Sequence, residues 1–183
     1  MGACSIFFSP FLESSPSDLS HQLLRQAAQR YSGLPSISFS HVGTNPWGKP
    51  FFPDAPNLHF SISHSGTWWV CGFADAPLGL DIQLHQTSFD LKKLAQRFFH
   101  PLEVHWLTQR NSQSFFDLWC AKESWVKFTG RGFFLDPSEF SVVSPQGIFP
   151  TSPQGQMRLL SFSAGYSACL CTVQIDTVQW IML

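Results

Sequence analysis

Apolar and polar positions change rhythm several times along the chain, and each rhythm predicts an element. Leu23, Leu24, Ala27 and Ala28 recur at helical spacing within residues 17–32, with Ser17 or Asp18 placed to cap the start and Gly33 to end it. Residues 35–56, rich in Pro, Gly and Asn, read as loop with a short strand at 37–41. Residues 57–64 and 67–74 read as strands of a hairpin around Ser65-Gly66. Asp75-Ala76-Pro77 is a turn. Leu78, Leu80, Ile82 and Leu84 then alternate over 78–85, which marks a strand with Asp81 and Gln83 on its opposite face.

The rhythm next becomes helical. Leu91, Leu94, Ala95 and Phe98 form one stripe, Pro101 opens a second helix through Leu107, and residues 112–128 form a long helix stopped by Gly130 and Gly132. Strands return at 139–143, 157–162, 166–173 and 178–183, with Gly/Pro/Ser-rich turns between them, notably 144–155. Helix, strands, helices, strands, with a helix and a short antiparallel sheet in each half, predicts an α+β fold. The natural division is an N-terminal subdomain over 1–76 and a C-terminal one over 77–183, forming one compact unit.

Composition narrows the function. The 183 residues are 44% apolar, enough to bury a core. Net charge is −1 with only 11 Lys plus Arg and no basic cluster, so nucleic acid is not the expected partner. No apolar run reaches the length of a membrane span, and the start has neither a positive leader nor the myristoylation pattern. The expectation is a soluble cytoplasmic protein. The five cysteines contain no C-x-x-C; Cys169 and Cys171 share a strand face, which suits soft-metal binding or, more simply, buried reduced thiols. The 19 Phe and 7 Trp are mostly core, with some available for a partner surface.

Chemistry concentrates in Trp119-Cys120-Ala121-Lys122-Glu123-Ser124-Trp125-Val126-Lys127. Glu123 and Lys127, at i and i+4, share a helix face. Such a pair also occurs as a plain solvated stabiliser, and Asp81 could simply cap a strand end. Together, however, two carboxylates on different elements with lysines around them suggest a divalent metal and a phosphate substrate. No P-loop, G-x-G-x-x-G or G-x-S-x-G is present, so side chains must grip any phosphate. Gly48-Lys49-Pro50 offers a lysine, in what could otherwise be an exposed turn. Ser61-Ile62-Ser63-His64-Ser65-Gly66 offers hydroxyls and an imidazole, with His64 open to either a structural role or a phosphate contact. Neighbouring strand residues face opposite ways, so Ser63 and His64 make a poor nucleophile–base pair.

In order, Gly48-Lys49-Pro50, Phe60-Ser61-Ile62-Ser63-His64-Ser65, Gly79-Leu80-Asp81-Ile82-Gln83 and Trp119 to Lys127 resemble the 4′-phosphopantetheinyl transferase family, of the larger surfactin-synthetase-activating type. That family shows G-K-P, F-x-x-S-H-S, G-[IV]-D-[IV]-[ED] and W-x-x-K-E-[SA]-x-x-K in this order. The resemblance runs from about Asn45 to Val143. It implies two similar pseudo-twofold subdomains with coenzyme A in the cleft between them. It implies Mg²⁺-dependent transfer of phosphopantetheine to a serine of an acyl or peptidyl carrier protein, releasing adenosine 3′,5′-bisphosphate, by an enzyme that works as a monomer. By position, Asp81 and Glu123 would hold the metal. Gln83 stands where the family often has a third carboxylate, a neutral ligand that weakens metal binding or leaves room for water. Lys49, Ser63 and His64 would touch the coenzyme's phosphates, with Lys49 and His64 near the 3′-phosphate. Lys127, with Lys122, would neutralise the pyrophosphate, and Glu123 would take the serine proton. The region before Gly-Lys-Pro is short, and His21 stands where an arginine is common. A non-catalytic coenzyme- or carrier-binding module, with Gln83 a mark of decay, is the alternative. A metal-dependent phosphohydrolase would need no carrier protein.

Overall fold

A computed structural model describes residues 2–12, 14–16, 18–86, 88, 90–132, 135–144, 147–148 and 155–183. Ser17 and most of the 144–155 turn lie outside them. The chain opens on a strand that the pattern did not reveal, β1 (Ala3–Pro10). Cys4 and Ile6 pack to one side of it and Phe7 to the other, so a strand buried on both faces shows no polar alternation.

Two sheets face each other. The first has the order β11-β1-β5-β4, with β4 (His59–Ser65), β5 (Trp68–Ala74) and β11 (Thr177–Met182). The second has the order β6-β10-β9, with β6 (Leu78–Leu84), β9 (Gln156–Leu160) and β10 (Tyr166–Thr172). The chain crosses from the first sheet to the second between β5 and β6. Its last strand crosses back, to pair in parallel with β1.

Helix α1 (Leu19–Ser32) covers the first sheet with Leu23, Leu24, Ala27 and Ala28, and ends at Gly33 in the left-handed region. Its N-cap, Asp18, makes no side-chain cap bond. Helix α4 (Ser112–Thr129) covers the second sheet, flanked by α2 (Leu91–Phe98) and α3 (Pro101–Leu107). Between the sheets, Ile6, Val70, Leu78, Leu80, Ile82 and Leu170 form a dry interface. The layers therefore run α1, sheet, sheet, α4, a mixed helix-and-sheet architecture.

Two expected strands take other forms. The 37–41 stretch is a 3-10 turn over Ser36–Phe39, which drives Phe39 fully into the core while Ile37 stays 72% exposed. The 139–143 stretch begins as a second 3-10 turn, Pro137–Glu139, because Asp136 caps Ser138 and Pro137 favours the first helical position. Only Val143 joins a ribbon there, between β7 (Val143–Ser144) and β8 (Gly147–Ile148). The hairpin strands β2 (Gly43–Thr44) and β3 (Pro50–Phe51) complete the set. All five cysteines are buried free thiols, and burial pushes that of Cys169 up to about 12.

Candidate active site

The two sheets meet where β4 and β6 run side by side without main-chain pairing. Serine side chains do the joining. The Ser61, Ser63 and Ser65 hydroxyls accept from the backbone N–H groups of Leu80, Ile82 and Leu84, at 2.9, 3.3 and 2.9 Å. Alternate serines on β4 thus satisfy the free edge of β6, which would otherwise be left as buried unpaired donors.

Lysines close the seam from the other side. The Lys127 ammonium, reaching up from α4, donates to Asp81 Oδ1 at 2.7 Å and to the carbonyls of Ile62 and Leu80 at 3.2 Å each. It therefore ties both sheets to its own helix. Asp81 is buried and takes a second bond from the Ser63 hydroxyl, 2.7 Å away, on the same Oδ1. α4 can come this close because of Gly79: any Cβ there would collide with the Ser124 carbonyl and the Phe128 amide.

Lys49 arrives from the hairpin tip. Asn45 Oδ1 accepts from the amides of Trp47 and Lys49, and its amide nitrogen donates to the Gly130 carbonyl at the end of α4. That turn delivers the Lys49 ammonium to the carbonyls of Leu78 and Lys127, at 2.8 and 2.6 Å. Burial pushes the Lys49 pKa down to about 8.

Glu123, one turn before Lys127, has no protein hydrogen bond among the described residues. Burial raises its pKa, the Asp81 charge raises it further, and Lys127 opposes both. Glu123, Lys127, Lys49, the stem of Lys122 and Ser61 line a cavity of about 560 Å³ whose other walls include Trp47, Phe98, Phe99, Trp119 and Val126. An apolar cavity with a few convergent charged groups is the usual form of a small-molecule site.

The remaining candidates differ in where their polar groups are engaged. The Lys122 ammonium turns away from the seam into a buried pair with Glu103 Oε2 at 2.6 Å, donates to the Phe140 carbonyl at 2.7 Å, and lies 4.1 Å from the Phe140 ring centre. Ser63 is buried, with its hydroxyl spent on Asp81 and its oxygen on Ile82. His64 sits on the opposite face of β4, exposed, with its ring 5.5 Å from that of Phe11. Gln83 is half-buried and donates to the Leu84 carbonyl. His21 is exposed on α1, away from the seam lysines' bonds.

The structural parts of Asn45, Gly79, Ser61, Ser65 and Glu103 go beyond what the sequence pattern assigns. Asn45 was legible as an Asn-Pro turn signal and Gly79 as a glycine inside a strand. Ser61 and Ser65 matter through their period-two spacing with Ser63. Glu103 gave no local sign, since nothing in a Pro-Leu-Glu helix start announces complete burial.

A model of the 4′-phosphopantetheinyl transferase superfamily matches residues 77–171, the stretch carrying Asp81, Glu123 and Lys127. The chain belongs to this superfamily. It is 38% identical over 125 residues to a 4′-phosphopantetheinyl transferase of Bacillus subtilis, covering 66% of this chain and 54% of that protein. It is 40% identical over 103 residues to the 4′-phosphopantetheinyl transferase Sfp of Bacillus subtilis strain 168, covering 54% and 45%. To 4′-phosphopantetheinyl transferase gsp of Aneurinibacillus migulanus it is 42% identical over 100 residues, covering 52% and 40%. The chain thus spans about half the length of the relatives it matches. Among the described residues no helix is long and apolar enough to cross a membrane.

Proposed function

We propose that this chain transfers the 4′-phosphopantetheine group of coenzyme A to a serine of an apo acyl or peptidyl carrier protein, releasing adenosine 3′,5′-bisphosphate. The observation that carries the reading is an apolar cavity on the seam between the sheets lined by Glu123, Lys127 and Lys49, with Asp81 buried behind it on the Lys127 ammonium. In this reading residues 1–76 and 77–183 are pseudo-twofold halves, each a helix on a sheet, with the last strand lent back to the first. The protein acts as a cytoplasmic monomer.

Mg²⁺ fits the donor set. Asp81, Glu123 and Gln83 offer hard oxygen ligands. Asp81 Oδ1 already accepts a full positive charge at 2.7 Å. Bound there, Mg²⁺ would offset charge on the pyrophosphate.

The chain's own groups do the rest. Glu123 takes the proton of the carrier serine as its oxygen attacks the phosphorus on the pantetheine side. Burial raises its proton affinity and so improves it as a base. The bond from that phosphorus to the nucleotide phosphate breaks, and Lys127 meets the charge on the departing group. Lys49 has N–H capacity left after its two carbonyl bonds and holds a phosphate of the coenzyme. His64 and Ser63 are assigned to the same phosphates by family position, with Ser63 acting through Asp81. The long aromatic wall takes the pantetheine arm.

Gln83, a neutral amide in place of a carboxylate, favours one other reading, a module that binds coenzyme or carrier without turnover. Mass spectrometry of apo-carriers incubated with the protein, coenzyme A and Mg²⁺ decides between them. A phosphopantetheine gained on serine is expected, and it should vanish in folded Asp81→Ala and Glu123→Ala proteins. Unmodified carrier throughout would leave the binding module.

A further inference from the structure

We propose that the Lys127 ammonium is the resident counter-ion of Asp81, holding the carboxylate oxygen that a divalent ion would take, and that ion binding and release of Lys127 toward the cavity are a single coupled event. The proposal rests on the reading of Asp81 as a metal ligand.

An ammonium has three N–H donors. Those of Lys127 have three protein acceptors: Asp81 Oδ1 at 2.7 Å, and the Ile62 and Leu80 carbonyls at 3.2 Å. Nothing is left over for a phosphate, although the side chain lines the cavity. The two donors that share Asp81 Oδ1 are not equally movable. Ser63 is pinned on a short side chain by the Ile82 amide and is 6% exposed. Lys127 sits at the end of a four-carbon stem, with its side chain 28% exposed. Its backbone stays anchored meanwhile, because the Lys49 ammonium holds the carbonyl of residue 127 at 2.6 Å.

Charge favours the exchange. The Lys127 ammonium is paired with Asp81 at 2.7 Å and rises from the helical turn after Glu123, so it is the cation set against both carboxylates. A divalent ion held by Asp81 and Glu123 would add positive charge beside an ammonium already 2.7 Å from Asp81, and like charges at short range repel strongly away from bulk water. Lys127 would therefore leave Asp81 as the ion binds. The ammonium, with an N–H freed, is left facing the cavity where the coenzyme's pyrophosphate binds. Ser63 stays behind as a positioning residue that keeps Asp81 aimed. The lysine thus becomes able to bind phosphate only once the ion is in place.

The test needs neither coenzyme nor carrier. Protein labelled with ¹⁵N-lysine is titrated with Mg²⁺ alone, and the ammonium signals are followed by NMR, that of Lys127 being assigned with Lys127→Arg. The Lys127 signal should move with the midpoint of Mg²⁺ binding measured by calorimetry, while the buried Lys122 signal stays still. Lys127→Met should bind Mg²⁺ about tenfold tighter or more, since no resident cation has to leave. A Lys127 signal unmoved at saturating Mg²⁺ overturns the proposal, as does equal or weaker Mg²⁺ binding by Lys127→Met, or no binding by either protein. Should that variant not fold, the wild-type titration decides alone. Transfer to a carrier is scored separately: absence of transfer with a Lys127 signal that moves would sink the transferase reading and leave this proposal standing.

Discussion

The role of Lys122 can be separated from those proposed for Lys49 and Lys127 by breaking its pair with Glu103. Glu103 is 0% exposed and Lys122 is 2% exposed, and the carboxylate also accepts from the Val142 amide at 2.7 Å and the His100 amide at 3.0 Å. Glu103→Gln keeps the shape but removes the counter-charge of a buried ammonium whose other neighbours are the Phe140 carbonyl and the rings of Phe140 and Phe99. Removing one partner of a buried pair costs about 3–5 kcal/mol. Lys122→Met leaves a buried carboxylate still bonded to two amides, so its loss should fall at the lower end of that range. Against a total stability of roughly 5–15 kcal/mol, either change is large. In urea the midpoint should fall by on the order of 2 M, at a slope of about 2 kcal/mol per M. The double variant Glu103→Gln/Lys122→Met should lose less than the sum of the singles, by about 2 kcal/mol of coupling. Single losses under about 1 kcal/mol, or an additive cycle, would refute the claim that the pair locks α3 to α4. The double variant also decides function: if it folds and binds coenzyme A as the wild type does, Lys122 has no part in holding the pyrophosphate.

Gly79→Ala forces a methyl into the backbone of α4 and should cost about 1–3 kcal/mol, read from urea unfolding; a neutral effect would mean α4 is free to shift. Lys49 should lose its charge as pH rises through about 8, so coenzyme affinity should fall above that pH while Lys49→Met, already neutral, shows a flat calorimetric profile there. The same group links to stability. Its folded pKa lies below its ordinary value, so the unfolded chain binds more protons from about pH 8 upward, and its contribution to stability should rise with pH in that range. Gln83→Glu adds a carboxylate beside Asp81 and should lower the Mg²⁺ concentration giving half-maximal transfer; an identical Mg²⁺ dependence would mean residue 83 does not face the ion.

Much of this molecule is written locally. Helix α1, the β4–β5 hairpin, β6 and α4 follow from spacing and caps, because periodicity reports which face of an element is dry. Asp81, Glu123 and Lys127 stood out by residue type and order, since charges interrupting apolar runs are conspicuous. What the sequence could not decide depends on partners remote along the chain. β1 is buried on both faces, so it carries no alternation, and its pairing with β11 joins the two ends of the chain. The 3-10 turn at Ser36–Phe39 yields to the pull of one aromatic into the core. Lys122 and Lys127 are neighbours on one helix and look alike in a motif. Helical geometry points them apart, one to a carboxylate on α3 and the other to a carboxylate on β6. The serines of β4 look like an anion nest and prove to be the edge pairing of a strand in another sheet. Where a hydrogen bond or a charge finds its partner is a property of packed layers, and no local pattern contains it.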